Sequence, residues 1–361
     1  MNLSVCIIAK NEEKHIEKCM QCLSDKEVQI VVADTGSTDK TREIAKKYTE
    51  FVYDFKWIDD FGAAKQFAVS KASNDNILIL DCDEYLQSDK TVLEKLNSML
   101  ENEPPRAGRI KCINVLENDS KNTDWITRAF NRKYYKVEGK IHEQIVKADG
   151  EPADTFLSAV VIKHVGYALN DDEKKKKASR NIKLLKKRLT ELEKNFDSDI
   201  TQNNEKEIPY IYYQLGKSYY MEKDYNNACD FFSKGLSFDL EPKLEYVIDM
   251  VETYGYAMLN SGKVQEALSY TSIYDVFGNS ADFKFLMGLI YMKNAMFDEA
   301  VNEFQKAAEY KESRVEGANS YLAYYNIGVI YECLGNIGKA QEYYKKCNGY
   351  LIRIIRRNKS N

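Results

Sequence analysis

Proline and glycine are scarce in this chain of 361 residues, 5 and 17 in all, which leaves little room for disordered or collagen-like sequence. Long apolar runs are missing: stretches such as Val28–Ala33 and Ile77–Leu80 fall far short of the roughly 20 residues that span a bilayer, and mean hydropathy is −0.53. No transmembrane helix is expected. Met1–Lys10 lacks a basic start followed by an apolar segment and a small-residue cleavage site, so no secretory signal is read and a cytoplasmic location is expected. A surplus of either charge is absent too. Lys and Arg number 52 against 56 Asp and Glu, a formal net charge of −4, which gives no general pull toward nucleic acid. Eight cysteines are scattered along the chain, and Cys19 with Cys22 forms a C-x-x-C without a second pair, so helix packing by buried thiols is expected rather than a zinc site or a disulfide framework.

What is present is ample core material: 44% hydrophobic and 12% aromatic residues beside 30% charged ones. The length exceeds what one core usually organises, so two modules are expected. In the first third, short apolar strands alternate with helical patterns, the mark of a mainly parallel sheet covered by helices. Leu3–Ala9, Gln29–Ala33, Phe51–Phe55 and Asn76–Leu80 read as strands; Asn11–Leu23, Lys40–Tyr48 and Phe61–Lys71 read as helices, the second capped by Thr38 or Asp39. This is a doubly wound, Rossmann-like half. Gly139–Lys147 and Ala159–Gly166 supply further strand-like pieces. Asp171–Asn195 is one long charged helix, in which the basic run Lys174–Lys177, Arg180, Lys183 and Lys186–Arg188 reads as a solvated face. Asp197–Glu207 is polar enough to be a linker.

From Pro209 the chain repeats itself. A glycine is followed twelve residues later by alanine four times: Gly216 and Ala228, Gly255 and Ala267, Gly288 and Ala300, Gly328 and Ala340. Large residues recur around them, among them Tyr219 and Phe232, Tyr291 and Phe304, Tyr331 and Tyr344. This spacing resembles the tetratricopeptide repeat, in which small residues let paired helices cross closely while large ones fill the layer between them. The second unit matches less well, with Met258 and Thr271 at the usual aromatic positions. The uneven glycine steps call for lengthened loops between repeats. The expected organisation is therefore 1–170, an α/β domain; 171–208, a connecting helix and linker; and 209–361, an all-α solenoid.

Asp81 and Asp83 stand two apart at the end of an apolar strand, so strand alternation aims both carboxylates the same way. In open α/β sheets ligands bind beyond the carboxyl ends of strands, and hard divalent cations take oxygen ligands. Asp34 ends the second strand in the same fashion, where it also fits a turn residue.

Four segments, Ala9-Lys10-Asn11-Glu12-Glu13, Asp34-Thr35-Gly36-Ser37-Thr38-Asp39, Trp57-Ile58-Asp59-Asp60-Phe61-Gly62-Ala63-Ala64 and Asp81-Cys82-Asp83-Glu84, stand in the order seen in family 2 glycosyltransferases of the GT-A fold. The resemblance covers about residues 3–195. The helical C-terminal part is similar to that of the peptide glycosyltransferases that modify bacteriocin precursors. Val137-Glu138-Gly139-Lys140-Ile141-His142-Glu143 resembles a Gly-x-Ile/Val-His-Glu motif of this subgroup, and His164-Val165-Gly166-Tyr167 its His-x-Gly-Tyr. The resemblance implies that Asp34 faces a uracil ring beside Ala9 and Asn11, that Asp81 faces ribose or metal, and that Asp83 ligates Mn²⁺ or Mg²⁺ with His164 as a third ligand. It also implies that Lys65, where the family often has Arg, contacts phosphate; Arg180, on the charged helix, either reaches phosphate or caps the domain interface. His142 and Glu143 are implied at the catalytic position, Glu143 as the general base.

The reaction so implied is inverting transfer of a sugar from a UDP-sugar to an acceptor nucleophile, with a peptide or protein bearing Ser, Thr or Cys preferred because a solenoid suits extended chains. A glycan or small-molecule acceptor stays open, as does a homodimer built through the repeats. A non-catalytic nucleotide-binding scaffold is the competing class, and the full set Asp34, Asp81, Asp83 and Glu143 speaks against it. Nucleotidyl transfer commonly uses a Gly-rich basic loop after the first strand, whereas Ala9–Glu13 is acidic and free of glycine.

Overall fold

The computed structural model describes residues 1–116, 120–166, 171–194, 202–347 and 350. The chain divides into two compact units, Met1–Ala168 and Leu169–Asn361.

The first unit runs β1 (Leu3–Ala9), α1 (Ile16–Gln21), β2 (Gln29–Asp34), α2 (Thr41–Ala45), β3 (Val52–Asp54), α3 (Phe61–Ser70), β4 (Asn76–Asp81), β5 (Glu84–Leu86), α4 (Lys90–Leu100), β6 (Ala107–Val115), β7 (Lys121–Asn131), β8 (Tyr135–Glu138), β9 (Gln144–Lys147) and β10 (Thr155–His164). Eight strands form one sheet in the order β3-β2-β1-β4-β7-β6-β10-β5, and β8 pairs with β9 in a separate hairpin. The first four are parallel, whereas β7 runs antiparallel to both β4 and β6. The sheet is thus mixed, parallel in the expected first half and irregular in the second.

Strand β1 is apolar on both faces because both are covered. Leu3, Val5 and Ile7 pack with Ile16, Met20 and Leu23 and, from α4, Leu93, Leu96 and Leu100. Cys6 faces the other way, into a cluster with Val31, Ala33, Ala68, Val69 and Phe130. Two helices are fixed at their starts by carboxylates: Asp60 Oδ1 accepts from the amide of Ala63 at 2.8 Å, and Asp89 Oδ1 from that of Val92 at 3.0 Å.

Two of the elements that are shorter than the sequence pattern implies have a local cause. The helix expected over Asn11–Leu23 is regular only at Ile16–Gln21, because Asn11 takes a φ of +56° and the backbone of residues 11–13 is tied to 37–41 instead. The strand expected over Gly139–Lys147 is confined to Gln144–Lys147; Gly139 and His142 both have positive φ, 108° and 54°, and carry the chain through a loop.

The second unit is helical: α5 (Asp171–Lys194), α6 (Gln202–Met221), α7 (Tyr225–Leu236), α8 (Glu245–Asn260), a 3₁₀ helix (Glu266–Ile273), α9 (Tyr274–Phe277), α10 (Ala281–Lys293), α11 (Phe297–Ala308), α12 (Tyr321–Cys333) and α13 (Ile337–Lys346). Helix α6 begins at Gln202 and contains Pro209, so 202–207 are helical rather than linker; residues 195–201 lie outside the described residues, as do 351–361. Helix α5 is amphipathic, with Ala178, Leu185 and Leu192 buried. Part of its basic run is engaged within the unit: Arg188 donates to Glu207 at 2.8 and 2.7 Å, and Lys186 Nζ lies 5.4 Å from the centre of the Tyr219 ring.

The recurring glycines have a direct steric reason. A Cβ at Gly216 would lie 2.5 Å from the Phe232 ring, at Gly288 2.6 Å from Phe304, and at Gly328 2.5 Å from Tyr344. Each large residue therefore rests on the bare backbone of the preceding helix. In the second repeat a Cβ at Gly255 would meet Leu286 first, at 2.6 Å, and then Tyr270, one position before Thr271, at 3.2 Å, where the supporting element is a 3₁₀ helix. Long connections, 237–244 and 309–320, separate the first repeat from the second and the third from the fourth. All eight cysteines are free thiols; Cys19 is buried and Cys22 half-buried against the first unit's core. Among the described residues no helix is long and apolar enough to cross a membrane.

Candidate active site

The sheet order brings the chemistry together. Ala9 at the end of β1 is in register with Asp34 at the end of β2, and Ile8 with Asp81 at the end of β4. Asp34 and Asp81 therefore flank the carboxyl end of β1, where an open α/β sheet presents its crevice.

Asp34 is 4% exposed. Its Oδ1 accepts from the amides of Gly36 and Ser37 at 3.0 and 2.9 Å, the turn role its sequence context predicts. Its Oδ2 is buried with no hydrogen-bond partner. Ala9 and Asn11 build the wall beside it. The Ala9 carbonyl accepts from the Thr35 amide at 2.8 Å, and Asn11 Oδ1 accepts from the Thr38 amide at 2.8 Å. Asp39 accepts from the Thr41 amide at 3.0 Å at the start of α2.

A second cluster centres on Asp81. Lys65, on α3 and 4% exposed, places Nζ 2.8 Å from Asp81 Oδ1 and 2.6 Å from Glu143 Oε1. Arg128, on β7, places Nη2 2.9 Å from both Asp81 Oδ2 and Glu84 Oε1. Glu84 closes the ring by accepting from the Asp81 amide at 2.9 Å. Burial works to raise the Asp81 carboxyl, but Lys65 and then Arg128 outweigh it and hold Asp81 well below the ordinary carboxylate range. Burial would also lower the Lys65 ammonium, and attraction to Asp81 and Glu143 raises it instead. Glu84 is raised by burial, with Arg128 partly offsetting it.

Strand β4 ends at Asp81 and Asp83 lies in the turn that follows, so the strand alternation invoked for the pair does not extend to it. Asp83 Oδ2 lies 3.3 Å from His164 Nε2, and a Cβ at Gly166 would collide with both side chains. Among the described residues no group of three or more His, Cys, Asp and Glu is arranged to hold a metal ion: Asp83 and His164 pair, while both Asp81 oxygens meet cations.

The remaining motifs orient this cluster. The Phe61 amide donates to the Lys140 carbonyl at 2.8 Å and the Gly62 amide to the Gly139 carbonyl at 3.1 Å, which joins the start of α3 to the loop bearing Glu143. Gln66 Oε1 accepts from the Val137 amide at 2.9 Å. His142 lies in that loop and its carbonyl accepts from Gln144 Nε2 at 3.0 Å. Arg180 stands on α5 in the second unit, 3.3 Å from Asn181 Oδ1. Sequence reasoning missed Arg128 and Asn114, whose Oδ1 lies 2.8 Å from His164 Nδ1; both sit in strands that no motif marks.

Residues 4–165 match the family model Glycosyl transferase family 2, and residues 209–242, 281–314 and 321–350 match Tetratricopeptide repeat. The chain is 22% identical over 348 residues to a TPR repeat-containing protein of Synechococcus elongatus, covering 94% of this chain and 73% of that one. It is 30% identical over 191 residues to the SPbeta prophage-derived glycosyltransferase SunS of Bacillus subtilis, covering 51% of this chain and less than half, 44%, of the relative. A structure of S. aureus TarS overlays 87% of this chain and 93% of its own, with 13% identity and a TM-score of 0.35. Residues 4–165 thus form a family 2 glycosyltransferase domain, and tetratricopeptide repeats follow it.

Proposed function

We propose that this glycosyltransferase moves a sugar from a UDP-sugar to a Ser, Thr or Cys nucleophile on a peptide or protein, with inversion at the anomeric carbon and with a divalent cation, Mn²⁺ or Mg²⁺. One observation carries the donor side: Asp34 Oδ2 is buried and lacks a hydrogen-bond partner, an arrangement that costs about 1–3 kcal/mol unless a donor fills it. The N3–H of uracil is such a donor, whereas N3 of cytosine presents a lone pair. Calorimetric titration with the two diphosphates tests this. UDP binds at least about 10-fold more tightly than CDP to the wild type, in line with the loss of one buried hydrogen bond to a charged group, and Asp34→Asn narrows that gap. Equal affinity of the wild type for UDP and CDP overturns the uracil reading.

On the acceptor side, Glu143 takes the proton from the hydroxyl or thiol as its oxygen or sulfur bonds to C1. The bond from C1 to the diphosphate oxygen breaks, and its electron pair leaves with UDP. Lys65, bonded to Glu143 and Asp81 at once, holds the two carboxylates at a fixed separation. Asp83 and His164 offer an oxygen and an imidazole nitrogen side by side, a donor pair suited to Mn²⁺, and Gly166 leaves them the space a side chain would fill. When bound, the cation supplies positive charge opposite the departing diphosphate. Asp81 serves this reading as an orienting group, since Lys65 and Arg128 hold both its oxygens. The stacked helix pairs of the second unit support a polypeptide partner, either the acceptor or a second copy of the chain, because such arrays present an extended concave surface.

A further inference from the structure

His164 ends β10 and is in register with Asn114 on β6. Its Nδ1 lies 2.8 Å from Asn114 Oδ1. The orientation of that amide is settled from the other side, because Asn114 Nδ2 lies 2.7 Å from Asp124 Oδ2 on β7. A carboxylate only accepts, so the Asn114 atom facing Asp124 is the NH₂ group and the atom facing His164 is the carbonyl oxygen. Cys112 Sγ, 3.4 Å from Asn114 Oδ1, donates to the same oxygen. Flipping the amide would set its oxygen against the Asp124 carboxylate. Acceptors face both ring nitrogens, and the shorter contact, 2.8 Å at Nδ1 against 3.3 Å at Nε2, places the hydrogen of the neutral ring on Nδ1 and the lone pair on Nε2. Nε2 faces Asp83 Oδ2 at 3.3 Å. Two electron-rich atoms so placed repel each other until a positive charge joins them.

We propose that Asn114, oriented by Asp124, is a positioning residue that fixes His164 as the Nδ1–H tautomer and so presents Nε2 together with Asp83 to a divalent cation. The part concerning the cation rests on the cation-dependent transfer proposed above; the tautomer does not. Hydrogen bonds of this kind to a ligating imidazole fix its orientation, and removing them typically costs 10- to 100-fold in metal affinity.

The test is long-range proton–nitrogen correlation on the full-length ¹⁵N-labelled protein at about pH 8, above the ordinary imidazole pKa of about 6.5. With three histidines in the chain, the His164 signals are identified by their loss in His164→Gln. The wild type shows the Nδ1–H pattern. Asn114→Leu, and the shape-preserving Asp124→Asn should the first variant not fold, move His164 toward the Nε2–H form and raise the Mn²⁺ dissociation constant, read by calorimetry with Mn²⁺ alone, by about 10- to 100-fold. A wild-type ring with its hydrogen on Nε2, or a tautomer that neither substitution changes, overturns the role of Asn114. A wild type with the Nδ1–H pattern that binds no Mn²⁺ instead overturns the cation reading and leaves the positioning role standing.

Discussion

Lys65 is the residue on which the candidate site turns, because one buried ammonium group answers two carboxylates from different elements, Asp81 at the end of β4 and Glu143 in the loop after β8. Its position makes Glu143 separable from the donor pocket around Asp34. Glu143→Gln keeps the side chain's size and removes the proton acceptor, so initial rates of UDP release in the presence of acceptor fall by about 10²–10⁴ while UDP affinity is unchanged. Loss of UDP binding in that variant would reassign Glu143 to holding Lys65 in place. Asp34, Asp81 and Glu143 were legible in the sequence because each follows a strong apolar run or lies in a compact motif. Arg128 was not: it stands in Lys121–Asn131, a strand whose outer residues are half-buried and polar, so nothing local marks it as the charge that completes the ring with Asp81 and Glu84.

At the scale of elements, the parallel strands were readable as near-continuous apolar runs, which burial on both faces demands. The antiparallel β6 and β7 were not, since Ala107–Val115 alternates buried and half-buried residues and long-range pairing, rather than local preference, makes them strands. The helical repeats were readable through the glycine steps, but the contacts between repeats were hidden. Helix α8 carries Asp249 and Glu252, and Arg314, from the long connection after α11, reaches back to bond both. Lys217 of α6 also meets Asp249 at 2.8 Å. Burial pushes the Glu252 carboxyl up to about 8, with Asp282 and Asp249 adding repulsion against the attraction of Arg314. The folded state thus holds this proton more tightly than the unfolded chain, where the ordinary value is about 4.3. The stabilisation is fully present below that value and is lost as pH rises through about 8. Glu252→Gln removes the titration, so the melting temperature of the variant relative to the wild type rises between about pH 5 and about pH 9. A difference that stays constant over this range would show that Glu252 is ionised in the folded state throughout.

For the whole molecule, the division after Ala168 decides where the chain can be cut. Helix α5 belongs with the repeats, and its buried Ala178, Leu185 and Leu192 would be stripped of cover by a truncation that kept it and removed α6 onward. A fragment ending at Ala168 is expected to be monomeric and to bind UDP as the full chain does, whereas one ending at Lys194 associates through the bared face of α5. Light scattering and UDP titration on the two fragments check this. If the repeats recruit a polypeptide acceptor, the shorter fragment retains slow hydrolysis of the nucleotide sugar and loses transfer. Transfer to the acceptor at the full-length rate by that fragment would remove the repeats from acceptor recruitment.

The hydrogen bond from the Gly62 amide to the Gly139 carbonyl carries a consequence for how this protein can vary. A Cβ at position 62 would meet that carbonyl oxygen at 2.5 Å, and Gly139, at a φ of 108°, lies against the backbone of Glu143. A substitution at either glycine therefore registers at the same carboxylate, although the two lie far apart in the chain. The two positions are therefore expected to change together, and only where α3 and the Glu143 loop shift as one.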